Sequence, residues 1–525
     1  MTKASGTSPE RTAAAVVPRA QALWLALLLV TGAALRIVPF ALDRSLWLDE
    51  ARLALNVLYR PPAQLLPPLG QTAPAGFLLL EKLAVACFGE SERALRLVPL
   101  LAGLASLWLV YAVARRWLTT AESLLALALF ALAQPLVYYA SEVKQYSTDV
   151  LVALVLLWAA GRALEARSST APWILFPLGV VGVWLSHPAI FVAAGAGLTL
   201  ALAAWRRGER RRAALFAGVA AAWAASFLAH YVLVLRRSDP KGFLVQFWAE
   251  GFPPLPPRSP ADLLWPVETF FGFFTDPAGL RFAGLAATAL TLGCWRWWRS
   301  DREALVLLLS PFVFTLLACL VGRYPFPTSG SIDSYPLAGR PVLFLVPAAL
   351  ILIASGLGWL ARAEDRERRV VGSVMAGFLL LSLAVDAVRR PAHGIRLHEL
   401  RPLVEMMARQ AQPGDVVVLN TRATIVFRYY LRRLPARAVA GLRVVELPGT
   451  NRWDAYEAQL GALPSGARVW VLYAHHPSWR SQQDEDFVLH VLDRRGQVRR
   501  RAKAAGASLH LYRIGEAAAV SEPVS

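Results

Sequence analysis

Long runs of apolar residues, separated by short polar segments, dominate the first three quarters of the chain. Each run approaches the roughly 20 residues that an α-helix needs to cross a bilayer. Eleven runs cover residues 21–40, 94–114, 120–139, 149–165, 171–186, 188–205, 213–235, 281–298, 303–321, 341–360 and 370–388. The pattern therefore predicts a polytopic α-helical membrane protein with about eleven spans.

Arginine placement predicts how these spans are oriented. If residues 1–20 are a cytoplasmic tail, every inner loop is basic, for example 206–212 and 362–369. The positive-inside rule favours this orientation. It places four loops on the outer face of the membrane, and these are residues 41–93, 140–148, 236–280 and 322–340.

The apolar segment 74–89 lies within the first of these outer loops. It is short and contains Glu81 and Lys82. If it crossed the membrane, Arg115 and Arg116 would lie outside and every later span would invert. We therefore predict a juxtamembrane or re-entrant helix on the outer side.

The pattern changes after residue 390. An amphipathic helix over 399–410 and buried strands over 416–420 and 468–474 are predicted, followed by a helix from 484 and a strand over 508–514. Alternating helices and strands indicate a small α/β domain. We predict a membrane domain over 21–389 and an outer-face domain over 390–525.

Composition agrees with this organisation. Hydrophobic residues make up 56% of the 525 residues and charged residues only 17%, which excludes a soluble protein of ordinary composition. The formal charge of +19 comes from arginines in the short inner loops, so we expect no nucleic-acid partner. Cys87, Cys294 and Cys319 lie in apolar surroundings without metal-ligand or disulfide spacing.

The stretch LWLDEARLAL places a pair of acids, Asp49 and Glu50, just after the first span. Asp49 could cap a helix that begins immediately after it, because aspartate is favoured at that position. It could equally act as a carboxylate base at a membrane-proximal cavity. Capping would leave Glu50 unexplained, and the two roles of Asp49 are compatible.

A second polar cluster, YYASEVKQYSTDV, spans residues 138–150 and contains Glu142, Lys144 and Tyr146. It could be an ordinary polar turn with interfacial tyrosines. In the predicted topology it faces the same side as Asp49. We therefore expect acids from two separate loops to meet over one cavity.

Three further residues on the predicted outer face are candidates for binding a substrate. Arg323 and Arg340 flank the loop before the tenth span, and arginine binds phosphate oxygens in a bidentate manner. Ordinary headgroup contact is the alternative for either arginine. His187 lies at an outer turn, where a structural role is the alternative to lining the site. No nucleotide-binding motif is present.

Taken in order, several segments resemble the bacterial relatives of protein O-mannosyltransferases and aminoarabinose–lipid A transferases, that is, glycosyltransferase family 39 and its neighbours in the C-type superfamily. The resemblance covers roughly residues 20–390. The segments are SLWLDEA, SERALRLVPLLAGLASLWLVYAVARRWL, YYASEVKQYSTDVLVAL, GRYPF and GRPVLFLVPA. The region around Glu81 and Lys82 matches the juxtamembrane motif only loosely, so neither sugar nor acceptor can be transferred from the family.

The resemblance implies a C-type glycosyltransferase fold and an enzyme of the cytoplasmic (inner) membrane. Such an enzyme moves a sugar from a polyprenyl-phosphate donor to a hydroxyl of a lipid, glycan or protein on the outer face. Asp49 matches the catalytic acid, Glu50 follows it as in many relatives, Glu142 matches the second-loop acid, and Arg340 matches an arginine near the donor phosphate.

We accordingly predict catalytic and substrate-binding sets and no cofactor. A metal-free reaction is favoured over a divalent cation bridging Asp49 and Glu142. The catalytic set is Asp49, Glu50 and Glu142, and the substrate-binding set is Lys144, Tyr146, His187, Arg323 and Arg340. A transporter or flippase of lipid-linked saccharides is the alternative, disfavoured because the spans are nearly free of acids and lack a repeat. A non-catalytic assembly protein would leave the acids without a role.

Overall fold

The structure is a computed structural model that describes residues 19–66, 72–165, 171–238, 242–328, 338–389, 397–436, 440–449, 452–475 and 479–515. The part of the chain up to Arg389 is helical. The α-helices there are α1 (Arg19–Ala41), α2 (Leu48–Tyr59), α3 (Ala75–Phe88), α4 (Glu92–Leu95), α5 (Leu97–Ala114), α6 (Thr120–Leu132), α7 (Gln134–Tyr138), α8 (Tyr146–Glu165), α9 (Ala171–Leu185), α10 (Ala189–Arg206), α11 (Arg210–Ser238, with a π-helical turn at Tyr231–Leu235), α12 (Phe243–Phe247), α13 (Trp265–Thr275), α14 (Ala283–Ser300), α15 (Arg302–Leu320), α16 (Val346–Ala361) and α17 (Arg366–Arg389). Short 3-10 helices cover Pro62–Leu65, Tyr139–Ser141, Ala249–Gly251, Pro260–Leu264 and Arg340–Leu345.

Within the described residues, eight helices are long and apolar enough to cross a membrane. A ninth span is obtained if α6 and the segment Gln134–Ser141, bent by 62° relative to it, are counted together. The bend follows from Ala133, whose extended backbone breaks the helix just before Pro135. The predicted spans 171–186 and 281–298 form α9 and α14, but neither belongs to the eight, so the count of eleven is not confirmed.

The helical core is centred on α16, which directly follows the 3-10 helix that begins at Arg340. Across the span Arg340–Ala361, 94% of the most apolar window is buried. Glycines let α16 approach α14 closely, since a Cβ at Gly293 would lie 2.0 Å from the Leu352 carbonyl oxygen. Small residues at such crossings are typical of membrane helices. This packing fixes the position of α16 and of the 3-10 helix before it, which begins at Arg340.

A five-stranded sheet follows the last apolar helix. Its strands are β1 (Val416–Leu419), β2 (Arg443–Glu446), β3 (Arg468–Ala474), β4 (Gly496–Ala504) and β5 (Ala507–Ile514), in the order β2-β1-β3-β5-β4. β1 is parallel to β2 and β3, and β5 is antiparallel to β3 and β4. Helices α18 (Leu400–Gln410), α19 (Thr421–Leu431), α20 (Trp453–Gly461) and α21 (Trp479–Asp493) complete the predicted α/β architecture.

This α/β domain shares a hydrophobic core with the segment that follows α1. Leu46, Leu53 and Val57 are fully buried in one cluster with Val426 and Phe427 of α19. Helix α2 packs directly on α19. The domain therefore covers the part of the chain that carries the predicted acid pair.

Candidate functional site

Asp49 lies in the first turn of α2, which begins at Leu48. Of the two roles left open for Asp49, it does not take that of the N-cap, because Trp47 occupies the cap position, where the neighbouring Glu50 accepts the Trp47 backbone N–H at 3.4 Å. A carboxylate in the first turn is nevertheless favoured by the positive end of the helix dipole. Asp49 is therefore the second residue of α2 rather than its cap.

Two cations from distant parts of the chain face the Asp49 carboxylate. Its Oδ2 atom lies 3.7 Å from Lys144 Nζ and 3.9 Å from Arg340 Nη2. The Asp49 side chain is 21% exposed, whereas those of Lys144 and Arg340 are 8% and 7% exposed. Burial alone would raise the pKa of Asp49, but the charges of Lys144 and Arg340 outweigh it and hold the pKa below its usual value. Asp49 is thus ionised at neutral pH.

Glu142 is the second acid of the site. It is buried, and its Oε1 accepts the indole N–H of Trp47 at 3.1 Å. Its Oε2 has no hydrogen-bond partner among the described residues. Burial and the negative charge of Glu50 raise the pKa of Glu142 to about 7, although Lys144 and Arg340 oppose the rise. The same two cations therefore act on both carboxylates.

Glu50 has a different environment. Arg96 holds its carboxylate in a bidentate ion pair, with Nε–Oε1 at 3.0 Å and Nη2–Oε2 at 2.9 Å. The backbone N–H of Val143 donates to Oε1 at 2.9 Å, and Arg44 lies 3.5 Å away. Both of its oxygens are committed to these contacts, which tie α2 to the loop carrying Glu142.

Aromatic side chains enclose the cations. The Arg340 guanidinium lies 5.1 Å from the centre of the Trp248 ring, within cation–π range. The Tyr146 ring packs edge-to-face against Tyr139 at 4.8 Å. Charges from Arg340, Glu142 and Asp49 all act on the Tyr146 hydroxyl. Tyr146 therefore borders the same polar cluster.

The other two candidates have different surroundings. His187 packs edge-to-face against His230 at 5.2 Å, and burial together with His230 lowers the pKa of His187 to about 3. It is therefore neutral at physiological pH. Arg323 is exposed just beyond the end of α15. Asp49, Glu142, Lys144, Tyr146 and Arg340 come together, whereas Arg323 points to the surface.

Arg44, Trp47 and Arg96 were not singled out from the sequence. Arg44 donates to the Tyr138 hydroxyl at 3.3 Å and to the Ser141 carbonyl at 2.9 Å. Arg44 lies on a predicted outer loop, where the charge bias makes arginine unexpected, so the signal that selected Arg340 would have selected it too. Arg96 lies near the start of the predicted span 94–114, where a charged residue is itself a sign of function. Nothing comparable in the sequence would have selected Trp47 as a candidate.

Across the described ranges, the structure has no group of three or more His, Cys, Asp or Glu side chains placed to hold a metal ion.

Comparisons with known proteins agree with the helical architecture. Residues 72–249 match the family described as dolichyl-phosphate-mannose-protein mannosyltransferase. Comparison with curated protein sequences finds no match. The predicted resemblance to glycosyltransferase family 39 is thus supported over about a third of the chain, including Glu142, Lys144 and Tyr146.

Solved structures extend the similarity over nearly the whole chain. The ArnT structure from Cupriavidus metallidurans in the apo state is 14% identical, with a TM-score of 0.53, and the match covers 93% of this chain and 97% of ArnT. The same protein bound to undecaprenyl phosphate is 15% identical, with the same TM-score and coverage. AglB from Archaeoglobus fulgidus, in complex with an inhibitory peptide and a dolichol-phosphate, is 11% identical, with a TM-score of 0.52 and coverage of 94% and 74%. The predicted C-type glycosyltransferase fold is confirmed.

Proposed function

We propose that this chain, a multi-pass membrane protein with the C-type glycosyltransferase fold, transfers a sugar from a polyprenyl-phosphate donor to a hydroxyl of a lipid, glycan or protein. The observation that carries the proposal is the partly exposed Asp49 carboxylate held between Lys144 and Arg340. An acid and two cations at one place can serve both the acceptor hydroxyl and the donor phosphate.

The comparisons support the choice of donor. The family description names dolichyl-phosphate-mannose, ArnT is solved with undecaprenyl phosphate, and AglB is solved with a dolichol-phosphate. Each of these is, or carries, a polyprenyl-type lipid phosphate. The sequence also lacks a nucleotide-binding motif, which fits a donor delivered from the membrane rather than a soluble nucleotide sugar.

Lys144 and Arg340 are assigned to the donor phosphate. Both are almost fully buried, so their attraction for an anion is screened less than that of a surface cation. Arginine matches phosphate oxygens geometrically, and stacking on Trp248 holds its guanidinium plane. Because negative charge grows on the departing phosphate, fixed cations there stabilise the transition state. Arg323, being exposed, is assigned only to approaching headgroups.

Asp49 is assigned to the acceptor. Its carboxylate accepts the proton of the acceptor hydroxyl as that oxygen forms a bond to the anomeric carbon of the sugar. The bond between the anomeric carbon and the phosphate oxygen breaks, and polyprenyl phosphate leaves with the electron pair. A donor phosphate that binds Lys144 and Arg340 would offset the charges that depress the pKa of Asp49, so donor binding makes Asp49 a stronger base.

The remaining candidates receive supporting roles. Glu142 is buried and reaches the site through its charge, and Tyr146 borders the cations. Glu50 is assigned to positioning, because Arg96 and Val143 occupy its oxygens. His187, neutral beside His230, is assigned to the wall of the membrane domain.

The predicted topology completes the proposal. The protein lies in the cytoplasmic membrane with residues 1–20 inside, and the site and the α/β domain face the outer side. In that arrangement the basic inner loops obey the positive-inside rule. The lipid phosphate of the donor would then lie at the same depth as Asp49, Lys144 and Arg340.

The test is the Asp49→Asn variant. Purified protein is incubated with synthetic undecaprenyl-phosphate monosaccharides and a cell-envelope extract that contains lipids, glycans and proteins as acceptors, and released undecaprenyl phosphate is measured by mass spectrometry. We expect Asp49→Asn to lower kcat about 10³-fold, as for loss of a general base. Asp454→Asn, at an exposed acid of α20 outside the cluster, is the matched control. Full activity in a folded Asp49→Asn protein would overturn the assignment of Asp49. A wild-type protein that released no lipid phosphate from any monosaccharide would overturn the function.

A further inference from the structure

The segment from Asp43 to Trp47 connects α1 to α2 and lies against the C-terminal α/β domain. Four residues of that domain, His398, Glu399, Arg401 and Tyr430, contact it. We infer that Tyr430 and Glu399 are positioning residues of the transfer reaction, holding this segment so that Asp49 and Glu142 keep their places. The inference rests on the proposed function of Asp49.

Tyr430 links the segment to a partly buried ion pair. Its hydroxyl accepts the backbone N–H of Leu46 at 2.8 Å and donates to Glu92. Glu92 in turn pairs with Arg401. Tyr430 and Glu92 are 5% and 4% exposed, so water cannot readily replace either bond. Burial raises the pKa of Tyr430, and the hydroxyl keeps the proton that it donates.

Glu399 and Arg401 hold the residues just before Leu46. Glu399 Oε2 accepts the Ser45 hydroxyl at 2.8 Å and the Ser45 N–H at 3.3 Å. Arg401 donates to the Asp43 carbonyl and, through Nη1, to Asp43 Oδ2 at 3.3 Å. Asp43 has φ of 49°, a left-handed backbone conformation that costs energy in a residue with a side chain. The domain thus stabilises a turn that the segment alone would disfavour.

The held segment leads directly to both acids. Leu46 precedes Asp49 by three residues, and α2 begins between them at Leu48. The next residue, Trp47, donates its indole N–H to Glu142 at 3.1 Å and packs edge-to-face on His398, with ring centres 6.3 Å apart. Contacts on residues 43–47 therefore act on Asp49 through the start of its helix and on Glu142 through Trp47.

A positioning role has a distinct kinetic signature. Reacting atoms displaced by about 1 Å can cost roughly 10²-fold in rate. Arg340, assigned to the donor phosphate, begins a span whose most apolar window is 94% buried, so donor binding depends less on residues 43–47 than the placement of Asp49 and Glu142 does. Loss of the contacts that Tyr430 and Glu399 make with residues 43–47 should therefore lower kcat while leaving KM for the donor nearly unchanged.

The experiment uses the full chain with four variants and synthetic undecaprenyl-phosphate monosaccharides as donors. Tyr430→Phe removes the hydroxyl, and Glu399→Ala removes the acceptor of both Ser45 bonds. Glu399→Gln keeps an acceptor oxygen and is the rescue variant. Tyr429→Phe is the matched control, since Tyr429 is also buried in α19 but its hydroxyl accepts from Arg433 of the same domain. Thermal unfolding and amide hydrogen exchange over residues 43–50 accompany the kinetics.

We expect Tyr430→Phe and Glu399→Ala to lower kcat about tenfold or more, with donor KM changed less than twofold and faster exchange over 43–50. Glu399→Gln and Tyr429→Phe should remain within about twofold of wild type. Wild-type kcat in folded Tyr430→Phe and Glu399→Ala, with Asp49→Asn inactive, would overturn the positioning role and leave the proposed function intact. An active Asp49→Asn would instead overturn the function on which the inference rests.

Discussion

Asp49 and Glu50 are adjacent in the first turn of α2, and their side chains leave the helix about 100° apart. Asp49 is partly exposed and meets Lys144 and Arg340 at almost 4 Å, whereas Glu50 is fully buried in a bidentate pair with Arg96. The ion pairs of Asp49 are therefore longer than the pair between Glu50 and Arg96. One helical turn thus carries a reactive acid and a structural acid.

Glu142 gives the site a pH dependence that can be measured. Its pKa is about 7 because of burial and Glu50, so it is mostly neutral below pH 7 and mostly ionised above. The ionised form competes with the donor phosphate for Lys144 and Arg340. We expect donor KM to rise about fivefold between pH 6 and pH 8, the factor that corresponds to an interaction of about 1 kcal/mol.

Glu142→Gln removes this titration, because the amide imitates the neutral acid. Its donor KM should stay near the low-pH wild-type value from pH 6 to pH 8, measured as release of undecaprenyl phosphate from the synthetic donors. Glu268→Gln, an exposed acid of α13, is the control and should follow wild type. A donor KM that rises equally with pH in Glu142→Gln would show that another group causes the change.

At the scale of elements, the Glu50–Arg96 pair joins α2 to the start of α5. Both side chains are at most 1% exposed, so removing one leaves the other charge buried without its partner. We expect Glu50→Gln to lower the free energy of unfolding by about 3–5 kcal/mol. The measurement is the apparent melting temperature of the detergent-solubilised protein, which should fall clearly.

Asp49→Asn is the matched control for Glu50→Gln, since the two positions are adjacent. It should abolish activity with little effect on the melting temperature, because Asp49 is partly exposed. The reverse pattern, a stable Glu50→Gln protein with normal folding but no activity, would return Glu50 to the catalytic set.

Elements with a continuous apolar pattern were predictable, and those without one were not. The buried strands β1, β3 and β5 follow from VVVLN, RVWVLYA and SLHLYRI. Strand β4 is an exposed edge strand of sequence GQVRRRAKA, whose arginines hide any alternation. Such charges on an edge strand prevent pairing with other chains, so β4 is specified by its neighbour β5 rather than by its own pattern. The break at Ala133 was not predicted, although Gln134 and Pro135 mark it within the apolar run.

At the scale of the whole molecule, the site joins side chains that are far apart in sequence. Asp49, Lys144 and Arg340 could each be proposed from their outer-loop positions, but only the fold shows which cations meet which acid. By position in the predicted outer loop alone, Arg323 and Arg340 were equally good candidates, and only the family resemblance favoured Arg340. They separate because Arg340 begins the most buried span, whereas Arg323 follows the end of α15 at the surface. This difference between the two arginines arises from tertiary packing and cannot be predicted from the local sequence.

The orientation of the whole molecule in the membrane can be tested by cysteine labelling. The proposal places β4 of the α/β domain outside the cytoplasmic membrane and the loop between α16 and α17 inside. Single cysteines report this directly in a Cys87→Ala background, which removes the exposed native cysteine. The two reporters are Arg500→Cys in β4 and Glu364→Cys in the loop, both at exposed positions. A membrane-impermeant maleimide should label Arg500→Cys in intact cells and Glu364→Cys only after permeabilisation.

The matched pair makes the labelling decisive, because each cysteine controls for the exposure of the other. Labelling of both in permeabilised cells confirms that both thiols are accessible, so a difference in intact cells can come only from the membrane. Labelling of Glu364→Cys but not Arg500→Cys in intact cells would invert the topology. Asp49 would then face the cytoplasm, the basic loops would lie outside against the positive-inside rule, and the donor would have to be used at the inner surface.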